Sequence, residues 1–458
     1  VETLKKCIGM FAIALWDRQS RTLMLARDRL GEKPLYYGWQ GYGAARVFLF
    51  GSELKALRAH PAFKAEIDRD ALAGDFRHMA IPATYSVYQG IQKLAPGTVL
   101  SVSLSAPQPV INAYWSATNV IEQGIASPFE GGAAGAVDKL DELLRDAVKK
   151  QMTADVPLGA FLSGGVDSST IVALMQAQSQ RAIKTFSIGF YEEAFNEARH
   201  AKAVAEHLGT DHTEFYVTAQ QALDVIPQLP ALYDEPFADS SQIPTYLVSK
   251  LAREHVTVSL SGDTGDELFC GYQRYNTADR LWRQLSAVPA SVREASARFM
   301  EKIPPRSLNA LGRRIGSTPQ WSRLGDRLHK GLELIDSDSL IELYKKLISN
   351  WQDPSSLVIG GREPQTVFSG LFPLFTGLSG IEQLMAVDLM TYLPDDILTK
   401  VDRAAMGVSL ETRVPMLDHR VVEFAWSMPL QYKLRSEGAV RMNKWVLRQV
   451  LYRYVPRH

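Results

Sequence analysis

The sequence predicts an α/β fold, α+β overall: a β-rich N-terminal part followed by a doubly wound parallel sheet. Three observations predict it. Residues 1–117 carry short apolar runs broken by turn clusters. From Val137 onward, apolar strands alternate with stretches of helical periodicity. Between one such strand and one such helix lies Ser163-Gly164-Gly165-Val166-Asp167-Ser168-Ser169, a glycine turn dense in hydroxyls.

In the N-terminal part, residues 10–16, 23–26, 35–39, 47–50 and 99–102 read as strands, separated by turns such as Gly41-Tyr42-Gly43 and Pro96-Gly97. Residues 124–135, rich in Gly, Ala, Ser and Pro, read as a linker, which puts domains at 1–118 and 137–458 around a 119–136 connection. Val137, Leu140, Leu144, Ala147 and Val148 then make a helical stripe. Residues 158–162 form a short buried strand, the glycine turn follows, and Val166, Ile171, Val172, Leu174 and Met175 mark the next helix. Residues 183–188 are a second strand. Asn196 caps a helix with Ala201, Val204 and Leu208 inward and Gly209 at its end. Residues 212–217 are a third strand, Ile243, Leu247 and Leu251 mark a helix, and 256–260 are a fourth strand. Residues 276–385 read as helical. In such a sheet, ligands bind at the carboxyl ends of the strands.

Composition narrows the class. Across 458 residues the chain is 46% apolar and 22% charged, with 50 basic and 50 acidic residues. That balance gives no electrostatic footprint for nucleic acid or acidic lipid. No apolar run is long enough to cross a membrane. Two cysteines, Cys7 and Cys270, are too few for a disulfide scaffold and suit a reducing, cytoplasmic compartment. Both ends lack polar tails, which reads as a fragment cut at each end.

The glycine turn has a chemistry. Its glycines let a ligand approach the backbone, the helix start presents free N–H groups, and the serines add donors. Phosphate or pyrophosphate fits such a cradle. Asp167 would repel that ligand unless a cation such as Mg²⁺ lies between them. No Gly-Lys-Ser/Thr follows, so this is not the Walker loop. Ser-Gly-Gly-x-Asp-Ser resembles instead the pyrophosphate loop of enzymes that cleave ATP between its α- and β-phosphates. The plainer alternative is a serine-capped turn without a ligand.

The fourth strand delivers Ser261-Gly262-Asp263-Thr264-Gly265-Asp266-Glu267, a natural second wall for a nucleotide–Mg²⁺ site. Taken alone, it also reads as a helix start with acids on its dipole. Lys400-Val401-Asp402-Arg403 and Leu410 through His419 form a mixed-charge cluster. Spacing favours a structural role there, with Glu411 and Arg413 as an internal ion pair; binding a charged intermediate is the alternative.

Together these segments resemble the glutamine-hydrolysing asparagine synthetases and their amidotransferase relatives. Arg27-Asp28-Arg29-Leu30-Gly31-Glu32-Lys33-Pro34-Leu35-Tyr36-Tyr37 resembles the latter half of that family's N-terminal-nucleophile glutaminase domain. The resemblance implies ATP and Mg²⁺ as cofactors, and as substrates ATP, aspartate or another carboxylate, and glutamine or ammonia. It implies no nucleic-acid or membrane partner and suggests a homodimer. Ser163, Gly164, Gly165, Asp167 and Ser168 would hold pyrophosphate, with Asp167 and Asp266 on Mg²⁺. Leu162, Ile188, Ser261 and Gly262 would line adenine and ribose. Asp263 would act as catalytic acid/base, and Glu411 and Arg413 would serve the charged intermediate.

Three departures stand out. The family's glutaminase nucleophile is an N-terminal cysteine. Here position 1 is Val1, so the chain holds no such nucleophile, and Cys7, in the segment leading to a core strand, reads as a small buried hydrophobe. Asp263 stands where the principal asparagine synthetases carry Glu, which together with the long stretch 276–385 is closer to relatives that amidate sugar acids or peptides; an amide-forming cyclase with a degenerate glutaminase domain is a separate alternative. By the same resemblance, the chain stops before the family's C-terminal Arg/Lys loop.

Overall fold

The computed structural model describes residues 1–191, 196–301, 303–304, 306–307, 309–310, 331–370, 377–437 and 440–457. Its N-terminal part holds β1 (Ala12–Asp17), β2 (Thr22–Arg27), β3 (Tyr36–Gln40), β4 (Val47–Gly51), β5 (Ile91–Lys93), β6 (Thr98–Ser103) and β7 (Val110–Ala113). They form two antiparallel sheets, ordered β1-β2-β6-β7 and β4-β3-β5. Leu25 and Leu100 face each other across β2 and β6 and share a core with Leu35, Tyr37, Leu94 and Val102. The five expected strands are present. Strands β5 and β7 escape the pattern because one has three residues and the other is exposed throughout. Between β4 and β5 runs α1 (Arg69–His78), capped by Asp68, which accepts from the backbone N–H of Asp70 and Ala71 at 3.0 Å.

Three readings of this region need correction. Strand β1 is not a core strand: Ile13, Leu15 and Trp16 are 39%, 49% and 51% exposed. Cys7 is only partly buried, its Sγ lying 3.4 Å from the Thr3 carbonyl. The Gly- and Ala-rich linker is mostly helix. Helix α2 (Ala117–Ala126) buries Val120 and Ile121, and α3 (Gly132–Gln151) buries Val137, Leu140, Leu144, Ala147 and Val148, the stripe its spacing predicts. Alanines are good helix formers, and buried partners outweigh the glycine cost.

The parallel sheet follows, with elements β8 (Leu158–Phe161), α4 (Val166–Gln176), β9 (Lys184–Phe190), α5 (Ala198–Leu208), β10 (Asp211–Val217), α6 (Gln242–Arg253), β11 (Val258–Leu260), α7 (Gly265–Leu268), α8 (Leu398–Met406) and β12 (Glu411–Arg413). Its order is β10-β9-β8-β11-β12, every pair parallel. Phe186 on β9 packs with Ala252 of α6 and Ala405 of α8 on one face. On the other face of the same strand, Gly189 lies against Ala198 of α5. Helices therefore cover both faces, as a doubly wound sheet requires. Helix α4 is apolar nearly all round and correspondingly buried, from Ile171 to Met175. Helix α5 starts at Ala198, whose N–H bonds Asn196 Oδ1 at 3.2 Å, and closes on Gly209 at φ +70°. After β12 come α9 (His419–Ser427), the hairpin β13 (Arg435–Glu437) and β14 (Val440–Met442), and α10 (Trp445–Leu451).

Packing divides the chain into two compact units. The first comprises Val1–Gly271, Asp353–Gly377 and Ala386–His458 and contains every strand named above. The second comprises Tyr272–Gln352 and Leu378–Met385. There, helices Gln273–Ser286 and Leu340–Ile348 meet through Tyr275 and Tyr344, ring centroids 6.1 Å apart. The helical expectation for 276–385 holds over most of the described residues but fails over 349–366, which is irregular apart from the short turn Pro354–Ser356; 311–330 and 371–376 lie outside the described residues. Among the described residues, no helix is long and apolar enough to cross a membrane.

Candidate active site

Strand β8 sits between β9 and β11, so the chain leaves it in opposite directions on its two sides. The crevice at its carboxyl end is the topological switch point, where a doubly wound sheet binds ligands. The Ser163–Gly165 turn and Ser261–Gly262 both open there.

The turn is held by its own side chains. Ser163 Oγ and Ser168 Oγ lie 2.9 Å apart, Ser163 N–H donates to Ser168 Oγ at 3.1 Å, and Gly165 N–H donates to Ser163 Oγ at 3.2 Å. Gly164 has φ +77°, and a Cβ there would lie 2.5 Å from the Ala201 backbone nitrogen. Only glycine suits both demands. Helix α4 then begins with Gly165 as N-cap and no side-chain cap, leaving its first-turn N–H groups to a ligand. Leu162 N–H bonds the Phe186 carbonyl at 2.9 Å, which places Leu162 beside the β9 segment carrying Ile188.

Asp167, in the first turn of α4, is the electrostatic centre. Its Oδ2 accepts a hydrogen bond from Lys444 Nζ, while its Oδ1 is buried with no partner. Burial, reinforced by Asp266 and Asp263 and opposed by Lys444, pushes its carboxyl up to about 6. The second wall fits closely against it. A Cβ on Gly265 would lie 2.3 Å from Asp167 Oδ1, and one on Gly262 would lie 2.5 Å from the Ser168 backbone nitrogen. Asp266 lies on the same lysine, with Oδ1 2.8 Å from Lys444 Nζ. Asp263 is held differently: its Oδ2 accepts from Ser261 Oγ. Ser261 N–H in turn bonds the Arg413 carbonyl at 2.8 Å.

The structure thus gathers Leu162, Ser163, Gly164, Gly165, Asp167, Ser168, Ser261, Gly262, Asp263 and Asp266 around one crevice, with Ile188 on the neighbouring strand. It does not bring the side chains of Glu411 and Arg413 there. Arg413 Nε donates to Glu411 Oε1 at 2.6 Å, and its Nη1 donates to the carbonyls of Gln151 and Thr153 at 2.6 and 2.8 Å. Those carbonyls precede β8, at the amino end of the sheet. The pair is the internal ion pair that spacing favours, and only the Arg413 backbone reaches the crevice edge. Lys400 and Asp402 are likewise engaged elsewhere: Lys400 Nζ lies 2.6 Å from Asp239, and Asp402 lies 2.8 Å from Lys33 Nζ.

The residue that sequence reasoning misses is Lys444. It stands at the start of α10. Burial alone would lower the ammonium, but Asp167 and Asp266 outweigh that and hold it above its usual range. Nothing in the sequence pairs positions 277 residues apart; the one local signal is a lone lysine ahead of an apolar helix.

The donor set suits a cation. Asp167 Oδ1 is a buried oxygen lacking a partner, packed against Gly265 on the wall that also carries Asp266. Among the described residues, no three His, Cys, Asp or Glu side chains form a metal cluster. Two carboxylates completed by phosphate oxygens are what a Mg²⁺ site on a nucleotide needs.

Comparison with known proteins agrees with this architecture. A family model described as asparagine synthase matches residues 139–458, and one described as a glutamine amidotransferase domain matches residues 1–115. A Mycobacterium bovis protein provisionally named a glutamine-hydrolyzing asparagine synthetase is 33% identical over 463 residues, covering 100% of this chain and 66% of that protein. Glutamine-hydrolyzing asparagine synthetase 1 of Bacillus subtilis is 30% identical over 459 residues, covering 100% of this chain and 67% of its own length. The Escherichia coli glutamine-hydrolyzing asparagine synthetase B is 28% identical over 295 residues, covering 60% of this chain and 46% of its own. The chain thus spans about two thirds of the length of the first two relatives. With the synthase match running from α3 to the last residue, over a parallel sheet with its serine–glycine turn at the switch point, the chain belongs to the asparagine synthase family.

Proposed function

We propose that this chain performs the ATP-dependent half of an amidotransferase reaction: it adenylates a carboxylate, releases pyrophosphate, and forms an amide from ammonia. Aspartate is the proposed acceptor, giving asparagine and AMP, and glutamine the proposed source of ammonia in the whole protein. A cytoplasmic setting and a homodimer belong to the same reading. The observation that carries it is the buried, unpartnered Asp167 Oδ1 beside a cradle of free helix N–H groups and serine hydroxyls.

The chemistry follows from the poor electrophilicity of a carboxylate. A carboxylate oxygen attacks the α-phosphorus of ATP, and the bond to the bridging oxygen breaks toward pyrophosphate. Ammonia then attacks the acyl carbon, loses a proton, and AMP departs. In this reading the α4 N–H groups, Ser163, Ser168 and the Lys444 ammonium receive the negative charge of the leaving pyrophosphate. Asp167 and Asp266 would hold Mg²⁺, which supplies charge neutralisation when bound. Asp263, oriented by Ser261, takes the ammonia proton. Leu162, Ile188, Ser261 and Gly262 form the nucleoside wall. Glu411 and Arg413 act at a distance, bracing β12 so that its backbone holds Ser261.

A second reading has the same chemistry on a sugar acid or peptide carboxylate. The short Asp263 side chain favours it, since one methylene less than Glu leaves more space for an acceptor. Pyrophosphate release from ATP and Mg²⁺ with ammonium, across a panel of carboxylates, separates the two. Release dependent on aspartate with asparagine formed supports the first; release with another acid supports the second. Asp167→Asn should lower that release by roughly 100-fold or more. Near-normal release by this variant would remove the loop from the mechanism.

A further inference from the structure

Lys444 lies where a cation belongs. Its Nζ bonds Asp266 Oδ1 at 2.8 Å and Asp167 Oδ2 at the same time, with its side chain 11% exposed. The position is built rather than incidental. Lys444 adopts φ +56° at the head of α10, and its N–H bonds the Phe269 carbonyl at 3.1 Å. Asn443 Nδ2 donates to the Gly271 carbonyl at 2.9 Å. The lysine stem passes over Gly271, where a Cβ would lie 2.1 Å from Lys444 Cε and 1.9 Å from Asp266 Oδ1. Backbone and stem thus deliver one ammonium between two carboxylates from distant parts of the chain.

That ammonium is an incomplete occupant. It offers a single positive charge to two negative ones and leaves Asp167 Oδ1 buried and unpartnered. A divalent cation would neutralise both charges and engage that oxygen. Ammonium and metal cannot occupy the gap together. A phosphate ligand in the cradle, however, would give the displaced ammonium a new partner.

We propose that Lys444 is a positioning residue that stands in for the metal: it holds the Asp167 and Asp266 carboxylates together in the ligand-free protein and competes with a divalent cation for them, so that cation and phosphate ligand bind as a pair. This rests on the assignment of Asp167 and Asp266 as metal-holding residues above. The consequence is positive coupling between metal and phosphate, with little metal bound before the nucleotide arrives.

Equilibrium Mn²⁺ binding to the full chain, followed by the electron-spin signal of free Mn²⁺, tests this without turnover. Wild type should bind Mn²⁺ weakly alone and, once the Mn²⁺ chelated by the same pyrophosphate without protein is subtracted, at least about tenfold tighter with pyrophosphate. Lys444→Gln, which keeps most of the stem and loses the charge, should bind Mn²⁺ alone about tenfold tighter than wild type. Lys444→Arg, which keeps the charge, should not. Equal Mn²⁺ affinity in wild type and Lys444→Gln overturns the proposal while leaving the metal assignment standing. Absence of Mn²⁺ binding to either form, even with pyrophosphate, overturns both. If Lys444→Gln does not fold, wild-type melting decides: Mn²⁺ alone should leave it unmoved and Mn²⁺ with pyrophosphate should raise it. A clear rise with Mn²⁺ alone overturns the proposal.

Discussion

Asp167 and Asp263 sit four residues or fewer from glycines in the same crevice, yet their surroundings assign them different work. Asp167 is buried with one orphaned oxygen, whereas Asp263 is held by the Ser261 hydroxyl. A buried acid beside other acids suits a cation, and a hydrogen-bonded one suits proton transfer. Asp263→Asn should therefore leave ATP binding intact and cut amide formation by roughly 100-fold, measured as product against nucleotide affinity. Loss of ATP binding instead would make Asp263 a ligand for the nucleotide–metal complex. A second acid illustrates the cost of burial without a partner. Asp75, in the last turn of α1, has a buried Oδ1 with no partner, and burial followed by Glu235 pushes its carboxyl up to about 6 from 3.8. The folded state therefore holds this proton more tightly than the unfolded chain. Between these two values stability rises as pH falls, and above about 6 the full penalty applies. Asp75→Asn should thus stabilise the protein by about 2 kcal/mol near pH 8, with the gain gone below about pH 4. Urea unfolding at both pH values checks it, and a loss at pH 8 would refute it.

At the scale of elements, helix α3 shows how a stripe becomes a support. Leu140 and Leu144 are both fully buried, and the helix packs against α4 and α10, the two elements that present Asp167 and Lys444. Leu144→Ala should cost about 2–5 kcal/mol by creating a cavity. Denaturant melts would show it, and a change below about 0.5 kcal/mol would mean the site collapses freely around the smaller side chain. The stripe from Val137 to Val148 was legible in the sequence because each apolar residue recurs at helical spacing. The start of the same helix was not. Gly132 through Gly135 carries no periodicity, and the helix is carried through it by packing further along. Strand β1 shows the reverse: an apolar run that reads as core, yet is exposed because no described element covers it.

For the whole molecule, the informative contact is Arg403. Its side chain is 1% exposed; its Nη2 donates to the Ser52 carbonyl at 2.8 Å, and its Nη1 lies 3.4 Å from Glu53 and 4.0 Å from Asp234. Ser52 and Glu53 directly follow β4 in the N-terminal part, whereas Asp234 and Arg403 belong to the parallel-sheet part. Arg403→Met would remove one of the two cations beside the buried Asp234 carboxylate, leaving Lys55 Nζ at 3.6 Å, and should cost about 1–3 kcal/mol. In the wild type, tryptophan fluorescence and far-ultraviolet dichroism should show the N-terminal sheets and the parallel sheet melting in one shared transition. Separate transitions in the wild type would mean that this contact does not couple them.

The sequence by itself determined four of the five strands of the parallel sheet, the helices between them and the serine–glycine turn, but not β12. These are local signals: period-2 and period-3.6 burial, glycine at a left-handed turn, and hydroxyls beside a helix start. It also placed Asp167 and Ser261 through Asp266 at strand ends, because a parallel sheet must present those ends together. Only the tertiary structure decided the rest. It put Lys444 between Asp167 and Asp266, turned the Glu411–Arg413 pair toward the amino end of the sheet, and made the Gly-Ala segment helical. Each of these depends on groups far apart in the chain meeting in a region of low dielectric. There, charge pairing and desolvation are set by three-dimensional neighbours, and spacing along the sequence does not report them.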